Sequence, residues 1–346
     1  MIITGELKKD NILIEKTKDI GRLYNKSGFG QPRSGNKLQL NLIEGIFLLD
    51  EKKIRIYQNK KLIDFQKLVE MASKKFFDFE IRYLAFKDLR KRGYAIKDYE
   101  GKKKITFHIK QKVNKQIFVS VFSERDFLDI KETTDLEKYV SKKDGRLWFA
   151  IIDEEGDITY YEVSKTELKG KTKTHAFQKT RGVFLKDRVV IFDEKASKTF
   201  FEKEFYGKFF GNGLQLSFVE ALYLSENNLI DFYDVNEKEI KKDKIENVAY
   251  ELQPDIKLRL AVFRDLKKKG LIVKTGFKFG THFRAYTKNP DETHAEYLVH
   301  IVKKDFKSIW SEISRAVRLA HSVNKEFIFA SVNKKIEYIR FGRLRP

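Results

Sequence analysis

Residues 35–40 read GNKLQL, and residues 211–216 read GNGLQL. The likeness continues on both sides of this pair. Glu44 returns as Glu220 and Leu48 as Leu224, each 176 residues later. The run FKDLRKRG at 86–93 returns as FRDLKKKG at 263–270, now 177 residues later. Phe149-Ala150 returns as Phe329-Ala330, 180 residues later. A constant order with a slowly growing offset is what one duplication leaves after small insertions and deletions. Two copies fall short of the three or more that a solenoid needs. The chain is therefore expected to hold two tandem copies of a whole domain, residues 1–170 and 182–346.

Each copy has the pattern of an α/β unit, so the fold class expected is α/β, of the mixed α+β kind. In the first, residues 1–34 look like short strands and turns. Leu38 to Leu49 has helical spacing with Glu44 on its polar side, and Phe76 to Lys91 reads as a second helix stopped by Gly93. Residues 104–109 and 115–122 read as strands, 124–142 as a polar helix, and Leu147–Ile152 with Ile158–Tyr161 as a hairpin. The polar, basic segment KTELKGKTKTHAFQKTR at 165–181 suits a linker. In the second copy Arg188–Phe192 reads as a strand and Leu214–Leu224 as a helix. Ile256, Leu260, Phe263 and Leu266 mark another helix, ended by Gly270. Strands are expected at Leu271–Lys274 and Lys278–Tyr286 around a turn at Gly276, with Phe279, Thr281, Phe283 and Ala285 on one face. Then come strand Tyr297–Val302, a helix with Ile309, Ile313, Ala316, Val317 and Ala320 on one face, and strands Phe327–Val332 and Ile336–Phe341.

Of the 346 residues 41% are hydrophobic, 30 of them Phe, which is ample material for the cores of two or three ordinary domains. The formal charge is +21, which favours a polyanionic partner: RNA, DNA and an acidic membrane surface all qualify. With no cysteine, disulfides, thiolate metal sites and a cysteine nucleophile are excluded. The opening MIITGELKKDNILIEK lacks the apolar core of a signal peptide, and no run reaches the ~18 apolar residues of a membrane span. A soluble, cytoplasmic protein with no membrane partner is expected.

The chemistry concentrates in residues 276–325. They begin GFKFGTHFRAYTKNPDETHAEYLVH and, after an amphipathic stretch, end RLAHSVNK. Tyr286, His294 and Lys325 stand out within them. An RNA strand is cut when its 2′-hydroxyl attacks the adjacent phosphate. That reaction needs a base, an acid for the departing 5′-oxygen and a cation for the phosphate charge. A phenol, an imidazole and an ammonium supply these without a metal ion or cofactor. A free phenol has a pKa near ~10, so a cation beside Tyr286 would help it act as a base. Of the other histidines, His282 is the nearest rival to His294 as the acid. His108, His175, His300 and His321 read as structural or merely exposed.

The run FKFGTHFRAY, the His eight residues later and the segment RLAHSVNK resemble the C-terminal catalytic domain of archaeal tRNA-splicing endonucleases. The resemblance is dense over 255–346 and traceable over the rest, and it fits the fused tandem-repeat, homodimeric type. It implies that each copy ends in a nuclease-like mixed-sheet subdomain, which in the second copy begins at about residue 255 after an N-terminal subdomain reaching about 254. It implies Tyr286 as base, His294 as acid and Lys325 as charge stabiliser. It further implies a precursor tRNA substrate cut at a bulge–helix–bulge, leaving a 2′,3′-cyclic phosphate and a 5′-hydroxyl. Arg318, seven residues before Lys325, and Arg340, fifteen after it, match arginines that in this family pinch a bulged base across subunits. The turn holding Asp153, Glu154, Glu155 and Asp157 matches an acidic loop that plugs into a basic pocket of a neighbouring catalytic unit, which implies a homodimer. The first copy lacks the three groups. At the 177-residue offset Ile109 stands at the Tyr286 place and Ile117 at the His294 place. Counted from Phe149, Gly145 stands at the Lys325 place, so this copy is expected to be silent and to serve assembly or RNA binding. A non-catalytic basic RNA-binding protein of the same fold is the rival reading, and a metal-dependent DNA nuclease the third.

Overall fold

The computed structural model of the chain describes residues 2–102, 104–110, 116–172 and 175–346. The first residue of the expected 115–122 strand, and residues 173 and 174 of the linker, lie outside the described residues.

Two glutamates set where one helix of each copy, the one after the repeated run, begins. The Asn41 side chain accepts from the Glu44 amide at 2.7 Å, and Glu44 accepts from the Asn41 amide at 3.1 Å. Ser217 and Glu220 repeat this reciprocal cap, satisfying backbone donors that a helix start leaves free. The helices therefore run Leu42–Asp50 and Phe218–Glu226, each beginning four residues later than expected. The residues before them are strands, Lys37–Asn41 and Gly213–Leu216, in which Leu38 and Leu40, like Leu214 and Leu216, alternate inward. The helical spacing of Leu38 with Leu42 is an accident of a strand running straight into a helix.

Each copy opens with a six-stranded sheet of the same strand order. In the first copy that order is Gln31–Arg33, Lys37–Asn41, Asn11–Ile14, Ile3–Lys8, Ile54–Gln58 and Lys61–Ile63. Residues 1–34 also contain a helical stretch, Thr17–Ile20 continuing as a π-turn over Gly21–Asn25, where only strands and turns were expected. Helices Phe65–Lys75 and Lys242–Leu252 follow the two sheets and escaped the sequence reading. Each buries only two residues one turn apart, Leu68 with Ala72 and Ile245 with Ala249, so its apolar stripe is too thin to register. The helix expected from Phe76 begins at Phe79, and Phe76 caps the preceding one.

The two copies then merge into one ten-stranded sheet whose order is a mirror. From one edge it runs Ile272–Thr275, Phe283–Tyr286, Tyr297–Lys303, Glu326–Val332 and Ile336–Leu344. It continues through Ile158–Lys165, Gly145–Ile152, Gln116–Ser123, Phe107–Ile109 and Ile96–Asp98. The seam is antiparallel, with Val163 opposite Phe341 and Glu162 opposite Gly342. Helices Ile130–Ser141 and Trp310–Ser322 cover one face across the seam. Beneath them Trp310, Phe149, Tyr161, Phe329 and Phe341 form a core common to both copies. The Phe149 and Trp310 rings meet edge-on at 5.6 Å. Each copy keeps a separate core between its opening sheet and the other face. Ile309 caps the Trp310 helix from a short strand, Lys307–Ile309, instead of lying on its face; that strand pairs with Phe127–Asp129 of the first copy.

The expected strand Lys278–Tyr286 is shorter. Phe277–Phe279 makes a 3₁₀ turn, Gly280 takes φ +64°, and the strand itself is Phe283–Tyr286. Phe279 and Thr281 thus do not continue the face of Phe283 and Ala285. The connection between the copies lies against the second one. Gly170 donates to Lys269 O, Lys171 to Thr287 O and Thr172 to Gly270 O, at 2.9–3.0 Å. A Cβ at Gly170 would meet Gly270 O at 1.9 Å, so this approach requires glycine. Among the described residues no helix is long and apolar enough to cross a membrane.

Candidate active site

Tyr286 ends its strand, 7% exposed, packed against Ile272, Ala295 and Phe205. The neighbouring registers fix which way it points. Ile272 pairs with Tyr286, Arg284 with Leu298, and Leu298 with Phe327. Since alternate strand residues share a face, Tyr286, Leu298, Phe327 and Lys325 all belong to the face covered by the Trp310–Ser322 helix. Lys325 stands just before strand Glu326–Val332, where Asn324, at φ +53°, turns the chain out of that helix. At ~4.8 Å per strand, the Cα atoms of Tyr286 and Lys325 lie two spacings apart, about 10 Å. The Lys325 ammonium donates to Val323 O at 3.1 Å and sits 5.5 Å from the Phe279 ring centre.

His294 is exposed at the end of the loop that joins the Tyr286 strand to the next one, Tyr297–Lys303. Asn289 shapes that loop, accepting from Asp291 through its side chain and from Thr293 through its carbonyl. Ala295, the next residue, is buried against Tyr286. Glu296 lies between the Tyr286 and Lys325 strands. Its carboxylate accepts from the Thr287 amide and hydroxyl, and its carbonyl from the Glu326 amide. The three groups thus gather at one end of the sheet, although among the described residues no hydrogen bond joins their side chains.

His282 lies four residues from Tyr286 along the chain, ~14 Å at strand rise. Its Nδ1 accepts from the Ile301 amide at 3.0 Å, and its Nε2 is 3.3 Å from Asp255. Burial lowers its pKa, aided by Arg259, so it stays neutral and engaged at both nitrogens. Its ring meets that of His300 at 4.7 Å. Burial, then His282 and Arg259, push His300 down to about 4. Because the unfolded chain binds this proton first, stability should be full above pH ~6.5 and should fall as pH drops toward 4, by up to about 3 kcal/mol. Denaturant titrations from pH 7 to 4 should show this slope flattened in His300→Phe; an equal slope would place the acid sensitivity elsewhere.

Arg318 is exposed on the Trp310–Ser322 helix, its Nε 3.4 Å from Ser314 O. Arg340 projects from the opposite face and reaches Glu326 at 3.2 Å and Glu162 at 3.4 Å. One chain does not bring these two arginines together. In the acidic turn, Asp153 accepts from the Glu155 and Asp157 amides at 3.1 and 2.9 Å and so shapes its own loop. Glu154, Glu155 and Asp157 face outward, Glu154 held by Arg125 at 2.6 Å.

The pairings revise two of the first copy's expected matches. Lys97 and Lys274 are equivalent: each donates to a backbone carbonyl of its opening subdomain, Lys97 to Gly30 and Lys274 to Phe205 and Gly207, beside Glu44 and Glu220. Lys97 pairs with His108 and Lys274 with Arg284, so Ile109 matches Ala285 and Lys110 takes the Tyr286 place. Ile117 matches Tyr297, since each pairs with that strand residue, Ile109 or Ala285. The His294 counterpart therefore falls within 111–115, outside the described residues. Gly145 keeps its match to Lys325, because Arg146 pairs with Ile117 as Glu326 pairs with Tyr297. The one-residue error arose because the connecting loops differ in length. The sequence reading missed the Lys97 and Lys274 clasps, although the repeat itself aligns them.

The family described as tRNA intron endonuclease, catalytic C-terminal domain, matches residues 79–160 and again 256–338. Its N-terminal domain matches residues 3–69 and 180–245. A tRNA-splicing endonuclease of Methanococcoides burtonii is 36% identical over 352 residues, covering 99% of each chain. One of Methanosarcina barkeri is also 36% identical, over 98% of this chain and 99% of that protein. One of Methanococcus maripaludis is 38% identical over 162 residues, 46% of this chain but 91% of that protein. A protein of one unit thus aligns with about half of this chain, as a duplication requires.

Proposed function

This chain belongs to the tRNA intron endonuclease family in its fused tandem-repeat form, and on that premise we propose that it excises introns from precursor tRNA at bulge–helix–bulge sites. It is an endonuclease. The observation that carries the finer reading is the common face and common sheet end of Tyr286 and Lys325, with His294 on the loop from the Tyr286 strand to the strand Tyr297–Lys303 that lies between them. Tyr286 as phenolate takes the 2′-hydroxyl proton. The 2′-oxygen bonds to phosphorus, the bond from phosphorus to the 5′-oxygen breaks, and His294 gives that oxygen a proton. Lys325 neutralises the charge gathered on the non-bridging oxygens. The products are a 2′,3′-cyclic phosphate and a 5′-hydroxyl.

The test is cleavage of a bulge–helix–bulge RNA in excess chelator, with the ends identified. Cutting to a cyclic phosphate is expected. Binding without cutting would favour a non-catalytic RNA-binding protein, and chelator-sensitive cutting of DNA a metal-dependent nuclease. Arg318 and Arg340 are proposed to hold the bulged base, a task suited to planar guanidinium groups. Lying on opposite faces of one chain, they suit a base gripped between two chains. Alanine at either should cost cleavage of bulged RNA more than binding of plain duplex; equal losses would make them phosphate contacts.

The homodimer is proposed to be joined through the acidic turn. Three outward carboxylates in a +21 chain suit a basic pocket on a second copy. Asp153 shapes the turn, so the informative variant leaves it in place and changes Glu154, Glu155 and Asp157 to Lys. Sedimentation should show the dimer weakened at least tenfold and more strongly salt-dependent, with cleavage reduced. A dimer of unchanged strength would make this an ordinary solvated turn.

A further inference from the structure

Arg284 lies two residues before Tyr286 on the same face of the same strand. Its guanidinium carbon is 5.8 Å from the Tyr286 ring centre. Its Nε is buried with no hydrogen-bond partner, and among the described residues no carboxylate lies within 4.0 Å of it. A structural arginine in such a place is normally saturated by a carboxylate or by carbonyls, because an orphaned buried donor is costly. Arg284 instead stands half-buried beside a phenol, its Nε unpaired and its charge facing no carboxylate within 4.0 Å among the described residues.

The surroundings leave that charge directed at Tyr286. On the adjoining strand Lys274, paired with Arg284, adds a second cation, its ammonium held by Phe205 O and Gly207 O with Glu220 3.9 Å away. On the other side Leu298 is apolar, and Glu296 is occupied by Thr287. Ile272, Ala295 and Phe205 complete the apolar walls around the ring. Farther off, Lys325 adds positive charge, His294 is exposed, and Glu326 is matched by Arg340. In such walls a cation favours the ionised form of a neighbouring phenol.

We propose that Arg284 is a positioning residue of the cleavage reaction: it stabilises Tyr286 as the phenolate that takes the 2′-hydroxyl proton. This rests on the reading of Tyr286 as the base. The test is the pH dependence of single-turnover cleavage of a bulge–helix–bulge RNA by the full chain and its Arg284→Gln, Arg284→Lys and Tyr286→Phe variants. Arg284→Gln should move the rising limb of the profile up by about one pH unit. Its rate should be about tenfold low at pH 7 and should rejoin the parent at high pH. Arg284→Lys, which keeps the charge, should lie near the parent and shows that the site still folds. A loss for Arg284→Gln that is the same at every pH, or an unmoved limb, overturns the proposal. If Tyr286→Phe abolishes cleavage while Arg284→Gln leaves the limb in place, only the role of Arg284 fails. If Tyr286→Phe cuts with an unchanged profile, the assignment of the base fails and Arg284 falls with it.

Discussion

Replacing His294 with alanine should slow single-turnover cleavage roughly 10²–10⁴-fold while leaving RNA affinity and thermal stability almost unchanged. The expected separation of effects comes from where His294 sits. Its ring is exposed, so removing it opens no cavity. The loop keeps its shape through Asn289 on one side and buried Ala295 on the other. A departing 5′-oxygen left without its acid must leave as an alkoxide, and the rate carries that cost. Lys325→Ala should slow cleavage comparably, through the unneutralised phosphate. Lys325→Arg should recover only part, because a planar fork does not replace a compact ammonium held at Val323 O over Phe279. A His294→Ala enzyme that cuts at the parental rate would remove His294 from the scheme. His282 would be a poor heir, with both ring nitrogens engaged at the far end of the strand.

Much of this was legible in the sequence where a pattern repeats, and lost where the decisive contact is long-range or a loop changes length. The duplication showed in GNKLQL and GNGLQL because each run enters a capped helix, and caps demand particular residues. The same leucines misled the helix boundary, because Asn41 and Ser217 break the strand-to-helix path in a way that apolar spacing alone does not record. The helices at Phe65 and Lys242 were missed because each buries only two side chains. The mirror order of the large sheet was out of reach: no local signal says that Val163 will face Phe341. At the candidate site the triad positions came from motif likeness. Their common face came only from register. Arg284 and Glu296 had no spacing of their own to announce them.

The seam also bears on the proposed confinement of the chemistry to one copy. The strand that follows Lys325 buries Phe327 and Phe329 in the common core around Trp310 and Phe149, to which both copies contribute, while the Tyr286 strand packs Phe283 and Ala285 into the second copy's own core. The first copy presents Lys110 and Gly145 at the two matched places, yet it still supplies half of that core. Its packing role is independent of chemistry, so its site positions are free to change while its buried positions are not.

That difference is sharpest at a buried cation, where the copies solve one problem in two ways and where the largest stability effect is expected. In the first copy Arg90 donates to Ser27 O at 2.6 Å and Tyr94 O at 3.2 Å, its guanidinium 3.6 Å from the Phe29 ring centre. A fork of five donors can satisfy itself on carbonyls. In the second copy the matching residue is Lys267, over Tyr206 at 4.6 Å. A compact ammonium needs a counter-charge there, and Glu204 supplies it at 2.7 Å, both side chains 5% exposed. Burial pushes the Glu204 carboxyl up, but Lys267, the His175 amide and the Tyr206 hydroxyl outweigh it and hold it low. Its contribution is therefore present at neutral pH and lost as pH falls through the carboxylate range. Glu204→Ala should leave Lys267 buried and unpaired, costing about 3–5 kcal/mol in denaturant unfolding. The pair joins the helix Glu194–Glu204 of the opening subdomain to the helix Ile256–Lys268 beside the strands of the candidate site. Cleavage should thus fall mainly through loss of folded protein, with kcat per folded molecule nearly kept. Adding Lys267→Met to a Glu204→Leu variant should restore only part of the loss, since the apolar pair removes the stranded charge but leaves the His175 amide and the Tyr206 hydroxyl without their acceptor. A Glu204→Ala protein as stable as the parent would mean that water reaches Lys267, and the small polar pocket lined by His175, Tyr206 and Tyr223 is where it would enter.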